Sequence, residues 1–398
     1  MESRETEKRT LAICAITHVV QDGVSAMLYV LAPVLAGALG LNYAQVGMIK
    51  ATRSAASSLL ELPSGLLAER FGERRLLGFG LLCSGAGYLL LSQAESFAPL
   101  LLCIVIAGVG GAFQHALSSS LLSQTHGDGT RLSALGLYNS AGDAGKLLFT
   151  AMFGVLIGAG LAWNSIVAAF GGIALLLSAL VYFGLKRLGV GGVHPRDPQG
   201  EGDADPSEAA QGWGIQDRGG FFAVCASISL DTCVQSGFLV FLPFLFAEKG
   251  ITTAGISFAV VLTLLGGIFG KAGCGYLAQR LGVRASLSLI QIATAAGIAA
   301  LLVAPGQIAF FVLPVLGLFL QGSTSITYGA VSDLFTRRRQ SRGFGLVYSL
   351  SSIAGVFGPV LFGLAGDAYG LRVSAAMMIL LSLLAIPPVF FFRSRRPA

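Results

Sequence analysis

The sequence predicts an all-α membrane protein with twelve transmembrane helices, arranged as two six-helix pseudo-repeats. Three observations lead to this prediction. Of the 398 residues, 54% are hydrophobic and only 12% are charged, whereas soluble domains carry about 25% charged residues. The chain contains 54 glycines, as suits helices that pack closely in lipid. Apolar stretches of about 20 residues, the length that spans a bilayer, recur from end to end.

Each predicted span is one of these apolar stretches. They lie at residues 10–39, 43–68, 76–94, 98–122, 132–159, 162–185, 220–247, 252–278, 285–304, 308–332, 343–368 and 372–392. The polar stretch 188–219 is rich in Gly, Pro and Asp, which is typical of a flexible linker. It separates a predicted N-terminal bundle (1–187) from a C-terminal bundle (220–398), and we expect it to be cytoplasmic.

The distribution of positive charge predicts that both chain termini are cytoplasmic. With that orientation, 20 of the 26 lysines and arginines fall in cytoplasmic segments and two, Lys249 and Arg372, fall in outer loops. Loops rich in Lys and Arg stay on the cytoplasmic side of a membrane. This bias accounts for the net charge of +6, so the sequence predicts a lipid bilayer and no nucleic acid as partner. The six cysteines lie in apolar runs without a CxxC pair, so we expect no disulfide framework, metal centre or cofactor.

The two halves repeat at an offset of about 210 residues. GLLAERFGER, residues 65–74, matches GYLAQRLGVR, residues 275–284, and Pro33 matches Pro243. Six-helix halves repeated in parallel are typical of secondary transporters, in which the solute site lies near the bilayer midplane between the halves.

The loop motif carries a family resemblance. GLLAERFGERR after the second span resembles the cytoplasmic loop signature of the major facilitator superfamily, G-x-L-A-D-R-x-G-R-R, and the second half holds its copy. DLFTRRRQSRGFG at 333–345 resembles the family's loop between spans ten and eleven. The resemblance implies a transporter rather than an enzyme. It also implies that a single chain, acting as a monomer, builds the pathway for a small-molecule solute.

A looser resemblance concerns the first and fourth spans. THVVQDG and GVGGAFQHALSSSL are similar to the fosmidomycin-resistance group of exporters, which implies a bacterial inner membrane. Ala116 follows His115 where that group has proline, and GDAGK, residues 142–146, replaces the G-x-x-x-G-P signature of drug exporters.

Charged residues inside the spans are the candidate functional residues, because charge in the hydrocarbon is costly and is retained for function. Arg53 and Lys146 are predicted to bind an anionic group, since guanidinium and ammonium groups pair with carboxylate or phosphonate. Further residues predicted to contact the solute are Asn139, Asp143, His115, Gln114, Gln235, Gln321 and Tyr328.

Proton coupling is predicted for acids in the first span of each half. Asp22 and Asp231 are the proposed proton carriers, and His18 lies one turn from Asp22 on the same helix face. Gating residues near the loop motifs are predicted to be Glu61, Glu69, Arg70, Arg74, Lys271 and Arg280.

Several interpretations stay open from the sequence. The leading hypothesis is proton-coupled secondary transport of a small polar, anionic solute by alternating access. Drug or antibiotic efflux is a second, and a metal or cation exporter using His18, Asp22, Asp231 and Cys233 is a third. A sensor or assembly partner built on a transporter fold is the fourth. Asp143 and Lys146, at i,i+3, are equally compatible with a static ion pair.

Overall fold

The computed structural model describes residues 2–193, 215, 217–334 and 340–391, and its helices follow the predicted spans. The central part of the predicted linker, residues 194–214 and 216, lies outside the described residues. The helices are α1 (Glu2–Leu39), α2 (Tyr43–Phe71), α3 (Glu73–Leu91), α4 (Phe97–Ala112), α5 (His115–Thr125), α6 (Asp128–Gly158), α7 (Trp163–Arg187), α8 (Arg218–Glu248), α9 (Thr253–Leu281), α10 (Val283–Val303), α11 (Gly306–Leu334), α12 (Gln340–Tyr369), α13 (Leu371–Leu384) and α14 (Ile386–Val389).

Within the described residues, ten helical segments are long and apolar enough to cross a membrane. Helices α2 and α3 occupy the other two predicted spans. Helix α2 carries Lys50, Arg53 and Glu61 along its length, and α3 begins with Glu73, Arg74 and Arg75. These charges lower the hydropathy of both helices without shortening them.

One predicted span is interrupted in its middle. The sequence predicts a continuous helix over 98–122, but α4 ends at Ala112 and α5 begins only at His115. The intervening Phe113 has φ −90° and ψ 1°, outside the usual helical geometry. The last predicted span divides in the same way into α13 and α14, where Pro387 and Pro388 follow the break.

The chain forms two compact units, and each includes the first residues of one helix whose remainder belongs to the other unit. The first unit contains Met1–Leu41, Ile49–Arg196 and Thr252–Phe258, and the second contains Asn42–Met48, Asp197–Ile251 and Ala259–Ala398. In the first unit, a Cβ on Gly158 would lie 3.2 Å from the Cβ of Ala254. In the second, the carboxylate of Asp367 accepts hydrogen bonds from the backbone N–H groups of Tyr43 (2.8 Å) and Ala44 (2.9 Å).

Equivalent helices pair in both units, as the internal repeat predicts. In the first unit α1 packs on α6, α3 on α7 and α3 on α4; in the second, α8 packs on α12, α10 on α13 and α10 on α11. The two loop motifs also share one backbone conformation. Gly72 has φ +80° and Gly282 has φ +79°, a region open to glycine and unfavourable for other residues.

Glycine also permits the helix contacts of the first unit. A Cβ on Gly85 of α3 would lie 2.7 Å from the carbonyl oxygen of Gly171 on α7. Small residues of this kind let helix backbones touch, which is how membrane helices gain packing energy.

Gly85→Ala is therefore expected to destabilise the protein by about 1–3 kcal/mol, the usual cost of overpacking a tight contact. Thermal unfolding of the purified protein in detergent measures the effect as a lower midpoint. Gly172→Ala is the matched control, because the space around that Cβ position is open to 4 Å. Equal midpoints for the two variants would contradict the close α3–α7 contact.

Candidate functional site

A charged cluster lies where α1 packs on α6 in the first unit. The Lys146 ammonium is 3.1 Å from Asp22 Oδ2 and 3.0 Å from Asp143 Oδ1. Asp22 is only 8% exposed, and an unpaired charge at such a place is costly. Lys146 is thus held by two carboxylates, one from the neighbouring helix and one from its own.

Two histidines complete the cluster around Asp22. His18 Nε2 is 3.3 Å from Asp22 Oδ2, and His115 Nε2 is 3.7 Å from Oδ1. The His18 ring stacks on Tyr138 with centroids 4.1 Å apart, and its edge meets the His115 ring at 5.0 Å. Gly142 makes room for the His18 ring, since a Cβ there would collide with it.

The hydrogen bonds of His18 fix which ring nitrogen carries a proton. Nδ1 lies 2.8 Å from the backbone carbonyl oxygen of Tyr138. A carbonyl oxygen only accepts, so Nδ1 must be the donor. Nε2 is buried and has no hydrogen-bond partner in the described part of the chain. Nε2 is also the nitrogen that faces Asp22, at 3.3 Å from Oδ2.

Arg53 differs from Lys146 in its surroundings. It is 9% exposed, and Tyr88 lies beside it. Its Nε has no hydrogen-bond partner among the residues that the structure describes. None of the carboxylates that the structure describes forms an ion pair with Arg53. Its backbone packs on α4, because a Cβ on Gly108 would lie 2.8 Å from the Arg53 carbonyl oxygen.

Gln114 sits at the interruption between α4 and α5. Its Nε2 donates to Ser118 Oγ (3.2 Å) and to the Tyr138 hydroxyl (3.3 Å), and that hydroxyl donates to the Gln114 carbonyl oxygen (3.3 Å). Gln114 therefore connects the interruption between α4 and α5 to Tyr138 of α6. Asn139, on α6 next to Tyr138, is exposed, and the His115 side chain is half exposed.

In the second unit, Asp231 of α8 is buried with neutral partners. Gln291 Nε2 donates to Oδ1 (2.7 Å) and Ser323 Oγ donates to Oδ2 (2.6 Å). Gln235 donates to the Leu320 carbonyl oxygen (2.7 Å), whereas Nε2 of Gln321 is buried without a partner among the described residues. The side chain of Tyr328 lies outside the described residues.

The residues predicted to gate lie near the loop motifs. Glu61, Glu69 and Arg70 are exposed. Arg280 stacks over the Tyr276 ring at 4.6 Å, and Arg74 and Lys271 are half-buried.

Glu73, in the same motif as Arg74, is buried and belongs to this region. It accepts hydrogen bonds from Ser120 (3.4 Å) and Gln124 (2.9 Å). Sequence reasoning missed Glu73 and also missed Gln291 and Ser323. Gln291 gave a usable signal, because it is a lone amide in the apolar stretch 285–304.

The first-unit cluster also has donor atoms of the kind that hold metals. One atom each of His18, Asp22 and His115 lie within 4.8 Å of one another. The ammonium of Lys146 already neutralises Asp22 at 3.1 Å, and its positive charge opposes a divalent cation there. Asp231 and Cys233 belong to the second unit, where Cys233 Sγ donates to the Ala354 carbonyl oxygen.

Comparisons with known proteins agree with the fold. The chain spans less than half the length of three bacterial relatives with short alignments. One is the fosmidomycin resistance protein of Escherichia coli K12, 27% identical over 147 residues, which are 37% of this chain and 36% of that protein.

Two relatives align over more than four fifths of the chain. The 3-(3-hydroxy-phenyl)propionate transporter of Escherichia coli K12 is 26% identical, covering 91% of this chain and 88% of its own. The hexuronate transporter of Bacillus subtilis 168 is 22% identical, covering 86% and 84%.

A solved structure and a family model complete the comparison. A bacterial homolog to the human lysosomal transporter Spinster shares the fold, with a TM-score of 0.79 and 15% identity over 96% of this chain and 95% of that one. The sequence model of the Major Facilitator Superfamily matches residues 14–230 and again 220–398. The chain is therefore a multi-pass membrane protein that belongs to the Major Facilitator Superfamily.

Proposed function

We propose that this protein is a proton-coupled secondary transporter that moves a small polar, anionic solute by alternating access. The observation that carries the proposal is the buried Arg53, which forms no ion pair with any described carboxylate. A guanidinium retained without a counter-ion in a membrane span is a functional-site signal. An anionic solute supplies the missing charge.

The charges of the first unit support this reading. The acids Asp22 and Asp143 balance the bases Lys146 and Arg53, but both acids contact Lys146. The positive charge is therefore left at Arg53, where planar carboxylates pair in a bidentate manner. The two relatives that align over more than four fifths of this chain are named for hexuronate and 3-(3-hydroxy-phenyl)propionate, and both compounds are carboxylates.

The proton site we propose is the pair of His18 and Asp22. Because Nδ1 of His18 is committed to the Tyr138 carbonyl, one proton adds between Nε2 and Asp22 Oδ2, which are 3.3 Å apart. A bound anion adds one negative charge to this unit, and one proton taken up here offsets it. Asp231, with two neutral donors, is the proposed proton carrier of the second unit.

The remaining assignments follow from the same proposal. We propose that the solute is contacted by further residues in both units: His115, Gln114, Asn139, Asp143, Gln235, Gln321 and Tyr328. Glu61, Glu69, Arg70, Arg74, Lys271 and Arg280 are proposed to control opening on the cytoplasmic side.

The proposed setting is the bacterial inner membrane, with bundles 1–187 and 220–398 joined by the linker. The protein acts there as a monomer with both termini cytoplasmic. The excess of Lys and Arg in the predicted cytoplasmic segments supports this orientation.

Export of an anionic antibiotic is the second candidate function. The short alignment with the fosmidomycin resistance protein favours it, and fosmidomycin is an anionic phosphonate. Binding of this phosphonate uses the same positive charge of the Arg53 side chain.

Flux into proteoliposomes tests the proposed function. With an inward proton gradient, we expect accumulation of labelled D-glucuronate or 3-(3-hydroxyphenyl)propionate above protein-free liposomes. D-glucose and the amide of the second acid are the matched neutral probes, and fosmidomycin tests the second candidate. Absence of proton-driven flux for every anion, or equal flux of the neutral probes, would refute the proposal.

A further inference from the structure

The linker begins with a segment that packs directly on the loop motif of the first half. Residues 188–193, with the sequence LGVGGV, form this segment and are named the strap. The Arg74 backbone N–H donates to the Gly191 carbonyl oxygen, 3.0 Å away. A Cβ on Gly72 would lie 2.8 Å from that oxygen and 2.8 Å from the carbonyl carbon of Gly192. Backbone therefore touches backbone, and a side chain at position 72 would push the strap away.

Two glycines direct the strap to this place. Helix α7 ends with the N–H of Val190 donating to the Leu185 carbonyl oxygen (3.2 Å), which is the bond of a Schellman turn. Gly189 has φ +72° and Gly191 has φ +64°, and glycine adopts such angles without steric cost. The first glycine ends the helix, and the second brings its own carbonyl oxygen to the motif.

The strap also covers the side chain of Arg74. A Cβ on Gly192 would lie 3.7 Å from Nη1 and 3.8 Å from both Cζ and Nη2 of that arginine. Because the three distances are nearly equal, this position lies over the flat face of the guanidinium. Arg74 Nε is buried and has no hydrogen-bond partner among the described residues. The docked strap therefore encloses part of the guanidinium.

The second copy of the motif has the same backbone conformation without such a cover. Gly282 has φ +79°, against φ +80° for Gly72. A Cβ on Gly282 would meet nothing within 4 Å in the part of the chain that the structure describes. The motif therefore keeps its conformation without a strap, and the strap adds something beyond that conformation to the first copy.

We propose that the docked strap restrains the loop motif of the first half, and that its release is a step in opening on the cytoplasmic side. The inference rests on the proposed function, which assigns Arg74 a role in that opening. While the strap is docked, the Arg74 N–H and one face of its guanidinium are occupied and cannot turn to other partners. The strap also belongs to the part of the first unit from which the chain continues into the second. A displacement of the linker therefore acts on the motif through these contacts.

Hydrogen–deuterium exchange of the full-length protein in detergent tests the docking. The variant is Gly191→Asn, because asparagine tolerates a positive φ, whereas its Cβ would lie only 3.1 Å from the Arg74 nitrogen. An N–H in the first turn of a helix has no acceptor within that helix. We therefore expect peptides that contain Arg74 to exchange this amide about two- to tenfold faster, as for the loss of one ordinary hydrogen bond.

Gly189→Asn is the matched control for the strap. Gly189 also has a positive φ, and a Cβ there would meet nothing within 4 Å among the described residues. Asparagine is accepted at this position after a helix, so the control should exchange like wild type.

Solute exchange in proteoliposomes tests the restraint on opening. Labelled D-glucuronate and 3-(3-hydroxyphenyl)propionate are the probes. We expect Gly191→Asn to exchange the transported acid faster than wild type, by up to the same two- to tenfold, because the strap no longer has to be released. Gly189→Asn should exchange it at the wild-type rate.

A second pair of variants serves if Gly191→Asn does not purify as a folded protein. Gly72→Ala then takes its place, with Gly282→Ala as its control. The two positions share a φ near +80°, and of the two only Gly72 has the strap within 4 Å among the described residues. Faster amide exchange and faster solute exchange are expected for Gly72→Ala relative to its control.

The outcomes separate this inference from the proposed function. Wild-type exchange of the Arg74 amide in Gly191→Asn would overturn the docking. Faster amide exchange with unchanged or slower solute exchange would overturn the restraint on opening. Absence of transport of both acids by wild type would refute the proposed function and, with it, the role of the strap in opening, whereas amide exchange still decides the docking.

Discussion

Asp22→Asn is expected to abolish solute accumulation driven by a pH gradient while leaving solute exchange intact. Asparagine has nearly the shape of aspartate but no charge and no proton to release. Its amide nitrogen can donate to the free Nε2 of His18, which lies 3.3 Å from the replaced oxygen. The proton site is then permanently filled by a neutral group. Lys146 keeps Asp143 at 3.0 Å, so the cluster retains an ion pair.

Two transport assays are compared on the same proteoliposomes. Counterflow exchange reports solute binding and movement, and uptake against a concentration gradient reports proton coupling. Glu95→Gln is the control, because it removes one carboxylate charge at an exposed residue of the turn between α3 and α4. We expect that control to keep its proton-driven uptake. Undiminished accumulation by Asp22→Asn would exclude Asp22 as the coupling residue.

Lys146→Ala is expected to lower the stability of the protein by about 3 kcal/mol. Removing one partner of a buried ion pair costs about 3–5 kcal/mol, because the other charge is left uncompensated. We expect a value at the lower end of this range, because 31% of the Lys146 side-chain surface is exposed. Two carboxylates, Asp22 and Asp143, lose their shared ammonium at once. A loss of solute binding in this variant alone therefore does not identify Lys146 as a ligand.

A second substitution distinguishes lost charge balance from lost contact. Lys146→Ala combined with Asp143→Asn should recover part of the thermal midpoint, because only one unpaired carboxylate remains. Lys186→Ala, an exposed lysine near the end of α7, is the control and should unfold like wild type. If Lys146→Ala unfolded at the wild-type temperature, the pairing seen in the structure would not be a source of stability.

Contacts along one helix were predictable from spacing alone. His18 and Asp22, at i,i+4, lie 3.3 Å apart, and Asp143 and Lys146, at i,i+3, form the ion pair that the sequence allowed. Arg53 and Ser57 of α2 are also separated by four residues, and both side chains lie next to Gly111 of α4. Helical periodicity determines such pairs before any tertiary contact is known.

Contacts between helices were not predictable in the same way. The bond of Lys146 to Asp22 depends on α1 packing against α6, and the His18 tautomer depends on a backbone carbonyl of Tyr138. Every residue has a backbone carbonyl, so the sequence does not show which of them accepts a hydrogen bond from a histidine. The interruption at Phe113 was missed because no proline stands in that part of the span.

The division of the chain into two units has a consequence for how the protein is made. The first unit includes Thr252–Phe258, which follows the linker and the whole of α8 in the sequence. A ribosome must therefore synthesise 258 of the 398 residues before that unit has all its parts. The N-terminal helices therefore cannot complete the packing of this unit until the beginning of α9 has been synthesised. Insertion of α9 completes the earlier unit, so its final packing is a late event of biosynthesis.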